Sequence, residues 1–278
     1  MSPHCEHRYE VLPFPRSKEQ AAGIAPPVRL TLTASAKHGS DRSVEYGERL
    51  RALGHRVTLH LAARMVRDRE HLDAILARTA AVGIDDLFVV GGDVQEPIGP
   101  YGSAGDLLEV LAGHPLRPAA LGVAAYPEGH PLIDDRDLEA ALDYKAQLAT
   151  YMVTQICYDA DVLLAWLTRL RSRGVALPLY AGVTGQVDRR RLLEISMRIG
   201  VGPSLRFLRK QRSVGQLLRG AGDATQRFYD AIAARRDEPE LGIAGFHFFT
   251  FNELTATWRW QQERCVRADR PAADAGAT

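Results

Sequence analysis

Short apolar runs rich in β-branched residues alternate along this chain with longer stretches in which apolar positions recur at helical spacing. Eight such runs can be read: YEVLPF (9–14), VRLTLT (28–33), RVTLHL (56–61), DLFVVG (86–91), AALGVAAY (119–126), YMVTQICY (151–158), LPLYAGV (177–183) and GIAGFHFF (242–249). Runs of this length without a polar face read as strands buried on both sides. Between them, segments 41–53, 68–82, 103–113, 134–148, 159–173 and 187–198 carry the helical period. Strictly alternating strands and helices build parallel sheets from βα units. Eight strands in 278 residues predict one α/β domain, an eight-stranded (β/α) TIM barrel. An open doubly wound sheet is the alternative. It would carry a Gly-rich turn after its first strand, and none follows YEVLPF.

Two irregularities modify the pattern. The stretch from Ser17 to Pro26 is short and runs into a second proline, Pro27, so the first helix is expected to be shortened or missing. Between the last two strands, VGPSLRFLRKQRSVGQLLRG (201–220) and DATQRFYDAIAARR (223–236) read as two helices parted by Gly220 to Gly222. The first of these is expected over the barrel mouth. The domain is expected to span 1–266, with the small, polar segment 267–278 as a disordered tail.

Composition narrows the class of partner. The formal net charge is +1, with acids and bases mixed along the chain, so there is no basic stripe for nucleic acid or an anionic membrane. A small molecule is the expected ligand. The three cysteines, Cys5, Cys157 and Cys265, are too dispersed for a disulfide framework, which points to a reducing cytoplasm. No apolar run approaches the roughly 20 residues needed to span a bilayer. The opening MSPHCEHR lacks the apolar core of a signal peptide.

In a barrel of this type the C-terminal strand ends face the functional pocket. Glu10, Thr31, His60, Asp93, Tyr126 with Glu128, Gln155 and the segment His247 to Asn252 all fall at or near such ends. The turn FVVGGDVQEP (88–97) is not a phosphate loop, since no Lys-Ser or Lys-Thr pair follows. Two readings of it stay open: a strand-to-helix turn with Asp93 as helix cap, or the floor of an organic pocket. Glu10 sits in an apolar strand, where a carboxylate must be paired or protonated. It is a functional acid, the ion-pair partner of Arg8 or Arg16, or a carboxylate simply exposed at the bottom edge of the barrel. No metal is expected: His4, Cys5 and His7 have no second cluster, and period-two counting puts His55 and His60 on opposite faces of one strand.

Six segments in one order, RYEVLPFPR, LTLTASAKHGSDR, FVVGGD, AAYPEGHP, MVTQICYDAD and GFHFFTFN, resemble the motifs of the methylenetetrahydrofolate reductase family. That resemblance implies an eight-stranded βα barrel reducing the methylene bridge of 5,10-methylenetetrahydrofolate to a methyl group, usually with FAD relaying hydride from NADH or NADPH. It further implies Glu10 as general acid, Asp93 and Gln155 as pterin ligands, and Phe249 with Asn252 in the wall shared by folate and nicotinamide. Thr31, His60, Tyr126 and His130 fall where the family touches its flavin.

The departures from the family pattern carry their own expectation. Gly91 stands where the family has an arginine, Ser103 where a flavin-covering aromatic is common, and Glu253 where arginine is commoner. Lys145 is retained, but the small-residue turn after it is replaced by QLATY. The chain is therefore expected to hold no FAD tightly and to take hydride directly from NADH or NADPH. Its partners would be folate and nicotinamide small molecules. A non-catalytic folate-binding barrel and a tetrahydrofolate-dependent methyl-transfer enzyme are the alternatives.

Overall fold

In the computed structural model, residues 7–34, 39–130, 132–187 and 225–268 are described. The strands are β1 (Arg8–Val11), β2 (Arg29–Leu32), β3 (Arg56–Ala62), β4 (Asp86–Val90), β5 (Ala120–Ala125), β6 (Tyr151–Ile156), β7 (Leu179–Thr184) and β8 (Ile243–Phe249). They pair in parallel and in sequence order, and β1 against β8 closes the barrel. The α/β TIM barrel expected from the eight runs is the fold.

The helices are α1 (Pro15–Ala22), α2 (Gly39–Ala52), α3 (Arg69–Ala81), α4 (Ala104–Ala112), α5 (Asp135–Ala146), α6 (Ala160–Ser172), α7 over 225–233 and α8 (Leu254–Ala268). As expected, α1 is short, at 8 residues, with Pro15 in its first turn. The helix expected at 201–220 lies outside the described residues, as does the one expected at 187–198 beyond its first residue, Val187. The sequence pattern did not yield α8. Its inner face includes Thr257 and Gln261, 0% and 1% exposed, and these polar residues break the apolar stripe by which a helix is read. It continues to Ala268, past the boundary expected at 266.

Strand residues alternate between two cores. Outward-facing Tyr9, Val11, Leu30, Leu59, Leu87, Val123, Phe246 and Phe248 join the helices in one large apolar cluster. Inward, Phe88, Tyr151, Val153 and Tyr180 form a second. Gly122 makes room for it: a Cβ there would lie 2.2 Å from the Tyr151 ring.

The base of the barrel is closed by charge. Asp86 Oδ2 accepts hydrogen bonds from Arg8 Nη1, Arg29 Nη1 and Thr58 Oγ1, each at 2.8 Å, and Oδ1 accepts from the Tyr151 hydroxyl at 2.8 Å. The Arg8 guanidinium also lies 3.9 Å from the Tyr151 ring centroid and 4.3 Å from that of Tyr180. Burying these charges costs several kcal/mol per ion unless they are paired and hydrogen-bonded, as Asp86 is here. The floor under the site is thereby fixed.

Candidate active site

Glu10 lies two residues beyond Arg8 on the same face of β1, one storey above that floor. Its backbone is in register with Thr31 on β2 and Phe249 on β8. Its Oε2 is 3.2 Å from His247 Nε2 and 3.8 Å from His60 Nε2. The alternative of an ion pair with Arg8 or Arg16 is overturned: Arg8 is committed to Asp86, and Arg16 binds Glu253 at 2.9 Å. An acid thus stands inside the barrel between two imidazoles.

Aromatic rings support this cluster. The Phe88 ring lies 4.8 Å from His60 and 6.5 Å from His247, centroid to centroid, and Phe249 is 4.8 Å from His247. Burial pushes the His60 imidazole down to about 4, against the opposing pull of Glu10, so His60 is neutral near pH 7. His60 Nε2, Thr31 Oγ1 and His247 Nδ1 are buried without a hydrogen-bond partner among the described residues. Buried polar atoms are almost always satisfied, so these are groups with capacity for a ligand. His55, by contrast, turns outward and spends both ring nitrogens on Val28 N and the Ala21 carbonyl. The opposite-face reading of the two histidines holds.

A second group lies after β4 and β5. Gly92 has a φ of 97°, which favours glycine, and its backbone turns the chain so that Asp93 is exposed. The helix-cap reading of Asp93 is overturned, because the next helix, α4, is capped by Ser103 in a reciprocal box with Asp106. Asp93 instead acts electrostatically on Tyr126 and His130: burial first, then the Asp93 charge, raises the Tyr126 phenol, and the same charge opposes the lowering of His130 by burial. Tyr126 and His130 meet edge to face, with centroids 5.0 Å apart. Lys145 Nζ donates to the Ala124 carbonyl at 3.1 Å, and burial brings its pKa down to about 8.

The remaining expected site residues differ in how committed they are. Gln155 is exposed near the end of β6, within the register shift between Val153 and Ile156, and its Oε1 accepts from Ile156 N at 2.8 Å. Asn252 is buried with a φ of 62°, and its Oδ1 accepts from Leu12 N at 2.8 Å and Ser17 Oγ at 2.9 Å. It ties the turn after β8 to the turn after β1. The sequence placed His247 only among strand-end polar residues; the signal that singles it out is its period-two spacing from Phe249 on the last strand. Among the described residues, no group of three or more His, Cys, Asp or Glu side chains could hold a metal ion. Nor is any helix there long and apolar enough to cross a membrane.

Fold and site together define a TIM barrel whose acid–imidazole cluster and polar loops lie toward the C-terminal strand ends, where this architecture carries its chemistry. The family model for methylenetetrahydrofolate reductase matches residues 21–196, and the chain belongs to that family. It is 32% identical over 211 residues to methylenetetrahydrofolate reductase 1 of Schizosaccharomyces pombe, covering 66% of this chain and 31% of that protein. It is 30% identical over 89 residues to methylenetetrahydrofolate reductase 2 of Saccharomyces cerevisiae, covering 31% of this chain and 15% of that protein. The chain thus spans a third or less of the length of these relatives. Among solved structures, dihydropteroate synthase from Thermus thermophilus is similar over 94% of both chains with 17% identity and a TM-score of 0.43, a level that bears on neither substrate nor mechanism.

Proposed function

We propose that this protein reduces 5,10-methylenetetrahydrofolate to 5-methyltetrahydrofolate with hydride taken directly from NADH or NADPH. The observation that carries the reading is the Glu10 carboxyl, held inside the barrel at 3.2 Å from His247 and unclaimed by either neighbouring arginine. Family membership supplies the substrate class.

In this reading Asp93 and Gln155 accept and donate hydrogen bonds at the pterin edge, and the glycine turn lets a flat ring approach the backbone. Glu10 gives a proton to the aminobenzoate-side nitrogen as the bond from that nitrogen to the bridging carbon breaks. The bridging carbon becomes an iminium on the other ring nitrogen. Hydride from the nicotinamide then forms the third C–H bond of the methyl group, leaving the nicotinamide oxidised and the iminium reduced. Phe249 with Asn252 walls the pocket shared by folate and nicotinamide, while Thr31, His60, Tyr126 and His130 line the space beside it.

The residues present do not fit a tightly held FAD. A Cβ at Gly91 would meet no described atom within 4 Å, so the glycine leaves open space where the family pattern has an arginine, and Ser103 is spent on capping α4. No step is therefore routed through a flavin. The test is turnover without added FAD: loss of reduced nicotinamide matched by formation of 5-methyltetrahydrofolate. A strict requirement for FAD would return the protein to the flavin-dependent form of the reaction. Folate binding with no turnover under either condition would make it a non-catalytic barrel.

A further inference from the structure

The two oxygens of Glu10 are not equivalent. Oε2 faces His247 Nε2 at 3.2 Å and His60 Nε2 at 3.8 Å, whereas Oε1 has no hydrogen bond among the described residues. The Glu10 side chain retains 19% exposure, against 1% for His247. One carboxyl oxygen is thus engaged by the barrel wall, and the other is left for whatever enters the cavity.

The tautomer of His247 follows from its surroundings. Its Nδ1 is buried and has no partner among the described residues. Were the proton on Nδ1, a buried N–H would be orphaned, which is rarer and costlier than a bare acceptor nitrogen. With the proton on Nε2, the only N–H of the neutral ring points at a carboxyl oxygen within hydrogen-bonding distance. The second tautomer avoids the orphan donor.

We infer that His247 is a positioning residue for Glu10: as the Nε2–H tautomer it donates to Oε2, so that the acidic proton is carried by Oε1, the oxygen that meets the substrate. This rests on the reading of Glu10 as the general acid and extends it to a residue that never touches the reacting atoms. Without the imidazole donor, the carboxyl proton is free to turn onto Oε2 and the acid is presented the wrong way round. Proton donation slows while the pocket for folate is unchanged.

The test compares His247→Leu, His247→Asn, His247→Gln, Glu10→Gln and the double variant Glu10→Gln with His247→Leu, each assayed for kcat, KM for methylenetetrahydrofolate and thermal midpoint. A glutamine amide reaches the position of Nε2, while that of asparagine reaches only Nδ1. In the expected result, His247→Leu and His247→Asn lose kcat by roughly 10-fold or more, within the ~10²–10⁴ that a general acid contributes, at little change in KM. His247→Gln recovers most of the rate, and in the Glu10→Gln background His247→Leu costs nothing further. If the leucine variant does not fold, the glutamine–asparagine contrast decides. Parent rates in the His247 variants, or an equal loss from His247→Leu with and without Glu10, overturn the inference while leaving Glu10 as the acid. A parent rate in Glu10→Gln overturns the acid itself.

Discussion

Arg8 Nη1 stands 2.8 Å from Asp86 Oδ2 in the barrel interior, and this one contact decides what Glu10 can do. An arginine two residues from a half-buried glutamate on the same strand face is its obvious counter-ion. Asp86, reaching in from β4, takes that arginine and Arg29 as well, and so leaves the Glu10 carboxyl to the two histidines. Charge pairing in the lower storey makes acid chemistry available in the upper one.

Removing Asp86 is accordingly expected to cost stability first. Asp86→Ala leaves Arg8 buried without its carboxylate, and breaking a buried pair from one side typically costs about 3–5 kcal/mol. Chemical denaturation should show this loss. A midpoint within experimental error of the parent would mean that the base of the barrel is not closed by this network.

The depressed pKa of His60 gives stability a defined pH dependence. In the unfolded chain the ring takes up a proton near its ordinary value of 6.5, but in the folded barrel only near 4, so between these values the unfolded state binds more protons. Stability is therefore lost as pH falls through that window, by up to about 3 kcal/mol from this residue. His60→Gln should flatten that part of the stability–pH curve; an unchanged slope would remove His60 as its source.

Asp93 separates binding from folding. Since Ser103 and Asp106 cap α4 without it, Asp93→Ala should leave the melting temperature near the parent value. Folate affinity should weaken by about 1–3 kcal/mol, the usual loss when a buried polar partner is left unsatisfied. A titration beside a melting curve measures both, and the reverse pattern would contradict the assignment.

Ser103 offers the complementary case. Ser103→Ala should cost about 0.5–2 kcal/mol of stability through the lost cap, with kcat and KM unchanged. A selective rise in KM for the nicotinamide would show instead that this position belongs to the ligand site.

The barrel was legible because its strands are continuous apolar runs, and α1 because Pro26 and Pro27 leave it little room. Helix α8 was hidden by Thr257 and Gln261, polar residues that are buried only because β1 and its neighbours lie beneath them. The site was legible residue by residue at the strand ends, but its pairings were not. Whether Glu10 meets Arg8, Arg16 or His247 depends on closure of β1 against β8 and on Asp86 reaching across the interior, which are relations between distant segments. Asn252 shows the same gap: no pattern in the sequence says that its Oδ1 accepts from Leu12 N and Ser17 Oγ and so holds the end of the strand that carries Glu10.

The central claim, direct transfer of hydride from nicotinamide to the folate iminium, is tested most directly by isotope. Turnover with NADH or NADPH carrying deuterium at C4, prepared separately in each of the two stereochemical positions, should place one full deuterium in the product methyl group for one of the two labelled forms, in ordinary water and without added FAD. A methyl group that gains its hydrogen from solvent with both forms would contradict direct transfer and reveal an exchanging carrier between the two substrates.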